Sequence, residues 1–415
     1  MIRLIEALNF RCLRYVRQPL GPFHILVGPN ASGKTTFLDV VAFLGRMVSD
    51  GLEAAVGERT KNFYDLVWGR EGQGFELAIE VAIPEKLPSR LRKRDFDTIR
   101  YEVRFGILPE TGEVAILEEN VRLMAWENEK SSQRAAFPAN GSILKTPPAK
   151  RKLGMLEILS RGVDGRLRVT VAGEEKQVSH FFVKRRGKSA LTYFALDDEL
   201  FPELCWLKTT LTEEIQSLVL NSLSIRNPSP PGQNGSFKPD GSNLPWVVEN
   251  LRKKSPKQFK DWLRHIQSEL PDIEDIKTIE KPEDRHRYLW VCYRGGLKVP
   301  AWMVSDGTLR LLALTLLAYL PDLSGVCLIE EPENGIHPGA IETAYMSLSS
   351  VYDAQILLAT HSPVIVSLAE ADKVLCFKKT ESGATDIVLG SEHPELSDWK
   401  GEPNLSVLFA SGVLG

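Results

Sequence analysis

No excess of either charge marks this chain: 51 lysines and arginines stand against 54 acids, a formal net charge of −3. A global electrostatic pull onto nucleic acid or an anionic membrane is excluded, so any such contact must be local. Cysteine is scarce and scattered. Cys12, Cys205, Cys292, Cys327 and Cys376 include no Cys-x-x-Cys pair, which argues against a structural zinc and against a disulfide framework. No apolar h-region follows Met1-Ile2-Arg3-Leu4-Ile5-Glu6, and the longest apolar stretch, Leu311 to Leu320, is broken by Thr315 and too short for a bilayer. The expectation is a cytoplasmic protein with no membrane contact. There is also no internal repeat and no sustained a/d heptad, which disfavours a long coiled-coil arm.

What is present is enough apolar residue, 43% of 415, to bury a large core in two or three lobes. Near the start, strand-like Arg3 to Asn9 and Phe23 to Val27 lead to a glycine-rich loop and an amphipathic run from Lys34 to Met47, the opening of an α/β sheet. Phe75 to Ile83 and Tyr101 to Ile107 alternate apolar and polar residues, the pattern of antiparallel strands with one wet face. A Pro/Gly/Ser-rich tract from Asn227 to Gly241 reads as a loop, and helical patterns cover Leu244 to Lys253 and Lys257 to Leu270. Strand-like Leu289 to Tyr293 introduces a last block in which Val326 to Ile329 and Gln355 to Ala359 suit buried parallel strands. Three divisions are expected: residues 1–125, a mixed insertion over 126–288, and residues 289–415.

Four motifs carry chemistry. Gly28-Pro29-Asn30-Ala31-Ser32-Gly33-Lys34-Thr35 fits G-x-x-x-x-G-K-[ST] directly after a strand and at the start of a helix. In that setting the backbone N–H groups face a β-phosphate, Lys34 bridges β- and γ-oxygens, and the Thr35 hydroxyl ligates Mg²⁺. Asn30, Ala31, Ser32, Gly33, Lys34, Thr35 and Thr36 are therefore the expected ATP contacts. Second, Val326-Cys327-Leu328-Ile329-Glu330-Glu331 ends an apolar run in two acids. On a strand their side chains would leave on opposite sides, Glu330 toward Mg²⁺ and Glu331 toward an attacking water, with Glu331, Lys34 and the His361 described next the expected catalytic residues. A surface acidic turn is the rival reading. Glu333 reads as solvated. Third, Thr360-His361-Ser362-Pro363 closes a strand and places His361 at the sheet's carboxyl edge, as a water or γ-phosphate contact or as a structural histidine. Fourth, Val304-Ser305-Asp306-Gly307-Thr308-Leu309-Arg310 precedes a helix that Ser305 could cap; alone it fits a plain capped core helix as well as an anion site.

In this order the four motifs resemble the ABC-type ATPase heads of the SMC, RecF and OLD group, and more narrowly the stand-alone bacterial AAA-21-like ATPases with S-D-G-T-x-R, I-E-E-P-E-N-x-x-H-P and T-H-S-P. Leu8-Asn9-Phe10-Arg11 and Leu408-Phe409-Ala410-Ser411-Gly412 are similar to the first strand and the ending of such heads. The resemblance implies an α/β P-loop NTPase, a two-lobed ABC/SMC-type head with a mixed α+β insertion. It also implies a homodimer that sandwiches ATP, with Ser305 and Gly307 on the partner's γ-phosphate, His337 at the D-loop position and His361 as switch histidine. Glu330 stands where such heads carry an aspartate and is expected to ligate Mg²⁺ and to slow turnover. No Q-loop glutamine is assigned, Gln73 and Gln133 lacking context. The stretch after His361 contains no Asp-x-Asp, so no nuclease of its own is expected. The implied function is an ATP-driven dimeric switch in antiphage defence or DNA repair beside a separately encoded nuclease or effector; the alternative is a low-turnover ATP-binding scaffold that recruits a partner. The basic runs Arg90 to Arg94, Lys150 to Lys152 and Lys184 to Lys188 are solvated faces or DNA contacts.

Overall fold

The structure is a computed structural model that describes residues 1–84, 87, 96–126, 155–170, 177–182, 186–194, 199–233 and 235–397. Two compact units divide the chain: the first covers Met1–Ile215 and resumes at Ala371, the second covers Gln216–Glu370.

The first unit opens with β1 (Ile2–Phe10), β2 (Leu13–Pro19), β3 (Phe23–Val27), α1 (Lys34–Asp50) and α2 (Leu52–Gly57). It continues with β4 (Gly74–Ala82), β5 (Thr98–Ile107), β6 (Val114–Met124), β7 (Leu156–Arg161), β8 (Arg166–Thr170), β9 (Gln177–Phe182), α3 (Leu191–Phe194) and α4 (Pro202–Thr209). The second unit carries β10 (Ile215–Leu218), α5 (Ser222–Arg226), α6 (Leu244–Lys254), α7 (Pro256–Glu269), β11 (Ile273–Glu280), β12 (Arg287–Tyr293) and β13 (Lys298–Pro300). After these come α8 (Asp306–Leu316), β14 (Gly325–Glu330), α9 (Pro338–Ser349), β15 (Ala354–Ala359) and α10 (Pro363–Leu368). The chain then returns to the first unit with β16 (Val374–Lys379), β17 (Thr385–Leu389) and α11 (Pro394–Ser397).

In the first unit an antiparallel sheet of eight strands runs in the order β2-β1-β4-β5-β6-β7-β8-β9. Strands β6 and β7, on either side of the division expected at 125/126, are neighbours in it. The strand β2 was not foreseen; β1 turns straight back into it with Phe10 opposite Leu13. Also in this unit, β3 pairs with β16 in parallel and β16 with β17 antiparallel. Helix α1 buries Phe37, Val40, Val41, Phe43 and Leu44. Its Phe43 ring meets Phe105 at 5.2 Å, and Phe10 meets Phe75 at 4.9 Å. Tilted aromatic pairs of this kind add to the stabilisation from apolar burial.

The wet face expected for β4 and β5 is corrected by the structure. Arg100 donates to Glu6 (2.5 Å), Glu80 (2.7 Å) and Glu102 (2.5 Å), and Glu6, Glu80 and Arg100 are all buried. The polar positions that alternate along each strand face one another across strands, so a charge that reads as solvated in one strand is neutralised by its neighbour.

In the second unit β11, β12 and β13 form an antiparallel sheet, and β14 and β15 run parallel with Ile329 opposite Leu358 and Glu330 opposite Ala359. Both are buried apolar runs, as their composition requires of parallel strands. Thr315, which breaks the longest apolar stretch, is fully buried in α8 and accepts from Trp262 Nε1 of α7 at 3.1 Å. Among the described residues no helix is long and apolar enough to cross a membrane.

Candidate functional site

The phosphate loop lies in the first unit. β3 is buried along its whole length and delivers the chain to Gly28 at a positive φ of 149°. A Cβ there would lie 2.3 Å from the Phe377 carbonyl oxygen, so only glycine fits. Ala31 (φ 61°) and Gly33 (φ 109°) also take the left-handed region, curling the backbone into a nest whose N–H groups converge. Gly33 is the N-cap of α1 and has no side chain to cap it. The helix ladder starts with Phe37 N–H donating to Gly33 at 2.8 Å. Lys34 is buried, and its Nζ donates to the carbonyls of Gly28 (2.8 Å) and Pro29 (3.0 Å), an ammonium folded over the loop. Asn30, Ala31 and Thr35 are exposed, Thr36 half-buried and Ser32 buried. Ser32 Oγ has no hydrogen-bond partner.

Two residues that shape this half carry no signal in the sequence. Thr385, buried at the start of β17, donates its hydroxyl to the Ser32 carbonyl at 2.8 Å, while its N–H donates to the Cys12 carbonyl at 2.9 Å. His24, in β3, accepts from Gly21 N–H through Nε2 at 2.8 Å and faces the Lys373 carbonyl with Nδ1 at 3.2 Å. Burial lowers its pKa to about 4, because the charged ring would lose its hydration. A cradle that a Cβ would fill, a cation folded over it and an exposed hydroxyl at Thr35 fit the phosphate chain of a nucleotide and its Mg²⁺.

The acidic half lies in the second unit. Glu330 ends β14 and is exposed. Glu331 is not a strand residue: its φ is +47°, although its N–H still donates to Ala359 at 2.8 Å. The expected alternation of the two acids is thereby corrected, since the left-handed turn, rather than the pleat, aims Glu331. Asn334 Nδ2 donates to Glu331 Oε2 at 2.5 Å. Glu331 Oε1 lies 3.9 Å from His361 Nε2, so these two expected partners are brought together.

Glu333 overturns its reading as a solvated acid. Its Oε1 accepts from the Thr360 hydroxyl at 2.7 Å and from His361 N–H at 2.8 Å, and its Oε2 is buried without a partner. The carboxylate satisfies the donors left where β15 ends, and so fixes the backbone that carries His361.

Ser305 caps α8, its Oγ accepting from Thr308 N–H at 3.2 Å. Asp306 pairs with Arg226 of α5 at 2.6 Å. Gly307 packs so tightly on the turn after Glu331 that a Cβ would lie 2.6 Å from the Gly335 carbonyl oxygen. His337 caps α9, accepting from Gly339 N–H at 3.2 Å. Gln73 is exposed ahead of β4. Gln133, Arg90 to Arg94, Lys150 to Lys152, Lys184, Arg185 and Leu408 to Gly412 lie outside the described residues.

Comparison with known proteins agrees with this architecture. The family described as "AAA domain, putative AbiEii toxin, Type IV TA system" matches residues 23–367. An OLD nuclease from Thermus scotoductus is 46% identical over 41 residues, 10% of this chain and 8% of that protein; the chain thus matches only a small part of that relative. A solved SMC head bound to the C-winged helix domain of ScpA covers 93% of this chain and 97% of its own at 15% identity, with a TM-score of 0.50. The SMC head domain from Thermotoga maritima covers 94% and 98% at 10% identity, with a TM-score of 0.44. The fold is that of a P-loop ABC/SMC-type head. The chain belongs to the AAA-domain family that matches most of its length, and has the fold of an SMC-type ATPase head.

Proposed function

We propose that the protein is a Mg²⁺-dependent ATP hydrolase that works as a homodimeric switch. The observation that carries this reading is the pairing of Glu331 with His361 at the ends of two parallel strands, in a chain whose glycine loop also fits a phosphate. In it the loop residues Asn30 to Thr36 hold the triphosphate, with Lys34 balancing its charge. Thr35 and Glu330 hold Mg²⁺, which when bound neutralises charge on the phosphate oxygens. Glu331 takes the proton of the attacking water, and His361 contacts that water or the terminal phosphate. Ser305 and Gly307 contact the nucleotide held by a second copy; the exposure of Ser305 supports this.

ATP binding then closes the dimer and hydrolysis opens it, driving a separately encoded effector, with defence or repair of nucleic acid as the setting. The family's description as a putative AbiEii toxin of a Type IV TA system supports an effector partnership, as does the solved SMC head bound to a domain of a second protein. Phosphate release tests the catalytic part. Lys34→Ala is expected to lose ATP binding, and Glu331→Gln to bind ATP while hydrolysis falls by about 10²–10⁴-fold. Unchanged release by Glu331→Gln contradicts its role. Turnover that is negligible in the unaltered protein, with ATP still bound, favours the recruiting scaffold instead.

A further inference from the structure

The turn after β14 grips its carboxylate with a side chain that the mechanism above leaves unused. Glu331-Pro332-Glu333-Asn334 closes as a β-turn, with Pro332 at the second position and Asn334 N–H donating to the Glu331 carbonyl at 3.0 Å. The same asparagine then reaches back, Nδ2 donating to Glu331 Oε2 at 2.5 Å. A carboxylate only accepts, so the amide must present its NH₂ to it. The other oxygen, Oε1, faces His361 Nε2 across 3.9 Å, wider than a direct hydrogen bond and of a size that a water bridges. Among the described residues, charged groups about this turn include Glu330 at the end of β14, Glu333, which is bound to the end of β15, and Arg310 of α8, whose side chain lies beside Gly335.

We propose that Asn334 is the positioning residue for Glu331. Resting on the reading of Glu331 as the water-activating group, this assigns the two carboxylate oxygens different duties. Asn334 holds Oε2 and thereby the rotamer, leaving Oε1 directed to the water. Because one residue makes both the turn's backbone bond and the side-chain bond, the carboxylate is fixed relative to the strand that carries it. Truncating the side chain removes the second bond and leaves the first.

The test compares Asn334→Ala, Asn334→Asp and Glu331→Gln in the full chain, by steady-state hydrolysis that separates kcat from KM for ATP. Asn334→Ala is expected to lower kcat about ten- to a hundredfold with KM for ATP within about twofold, since a freed carboxylate affects the chemical step rather than binding. Asn334→Asp keeps the size but replaces the donor amide with a second acceptor, and is expected to lower kcat at least as far as the truncation does, with KM again little changed. A merely structural asparagine would lower stability without that split between kcat and KM. A kcat within about twofold of the parent for either Asn334→Ala or Asn334→Asp overturns the proposal. Should the truncation fail to fold, the isosteric Asn334→Asp carries the test. Glu331→Gln separates the two levels: full activity in that variant defeats the reading of Glu331 itself, whereas its inactivity beside unchanged Asn334 variants defeats only the positioning role.

Discussion

The phosphate half and the acidic half of this protein are shaped by different forces. Backbone sterics make the first: glycines where no Cβ fits, residues in the left-handed region, and a strand buried end to end. Side-chain hydrogen bonds make the second: Asn334 on Glu331, Glu333 on Thr360 and His361, and Ser305 on its own helix. The difference has a consequence for substitution. A steric cradle fails abruptly when an atom is added, whereas a hydrogen-bonded turn loses function by degrees as donors and acceptors are removed.

The sharpest break should come at the cradle. Gly28→Ala puts a methyl where the Phe377 carbonyl already stands, and is expected to destabilise the protein by about 3 kcal/mol and abolish ATP binding, measured by thermal melting and by titration with nucleotide. Acid should separate the halves next. His24 is held neutral in the folded chain, with a pKa lowered to about 4 against an ordinary value of 6.5. Its unfolded form therefore takes up a proton that the folded form refuses. The His24 contribution is whole above pH 6.5 and is lost as the pH falls toward 4, by about 3 kcal/mol in all. Urea melts of the parent and His24→Gln across that range should show the variant losing less stability on acidification.

Smaller effects are expected where side chains act on the backbone. Glu333→Ala leaves the Thr360 hydroxyl and His361 N–H without their acceptor, and should lower stability by about 2 kcal/mol and kcat more than KM. Thr385→Val removes one hydrogen bond to the Ser32 carbonyl. A loss of about 1 kcal/mol is expected, read as a modest rise in KM for ATP with kcat little changed. If Thr385→Val proved as damaging as Gly28→Ala, the contrast between a steric and a hydrogen-bonded half would not hold.

The same contrast explains what could be read in the sequence. The glycine loop is legible because its conformation is dictated by residues in one continuous stretch, each needing its own backbone angle. The buried parallel strands β14 and β15 are legible for a similar reason, since a strand covered on both faces must be apolar throughout. Glu333 was misread because its partners, Thr360 and His361, come from a different strand, and an acid in a loop looks solvated until that strand's end is placed beside it. Glu331 was read as a strand residue because strand alternation was carried one position too far, past the point where Pro332 opens a turn. Glu80 was assigned to a wet face for want of the register that sets it opposite Arg100. Thr385 shows the limit: a threonine in an ordinary alternating strand says nothing of the loop it supports.

The central claim is that ATP completes its site only when two chains meet. Sedimentation of Glu331→Gln with and without ATP and Mg²⁺, alongside Glu331→Gln combined with Ser305→Arg, tests it directly. A dimer that forms only with nucleotide and is lost in the combined variant is the expected result. A monomer at saturating ATP, or a dimer indifferent to both nucleotide and the arginine, would contradict it.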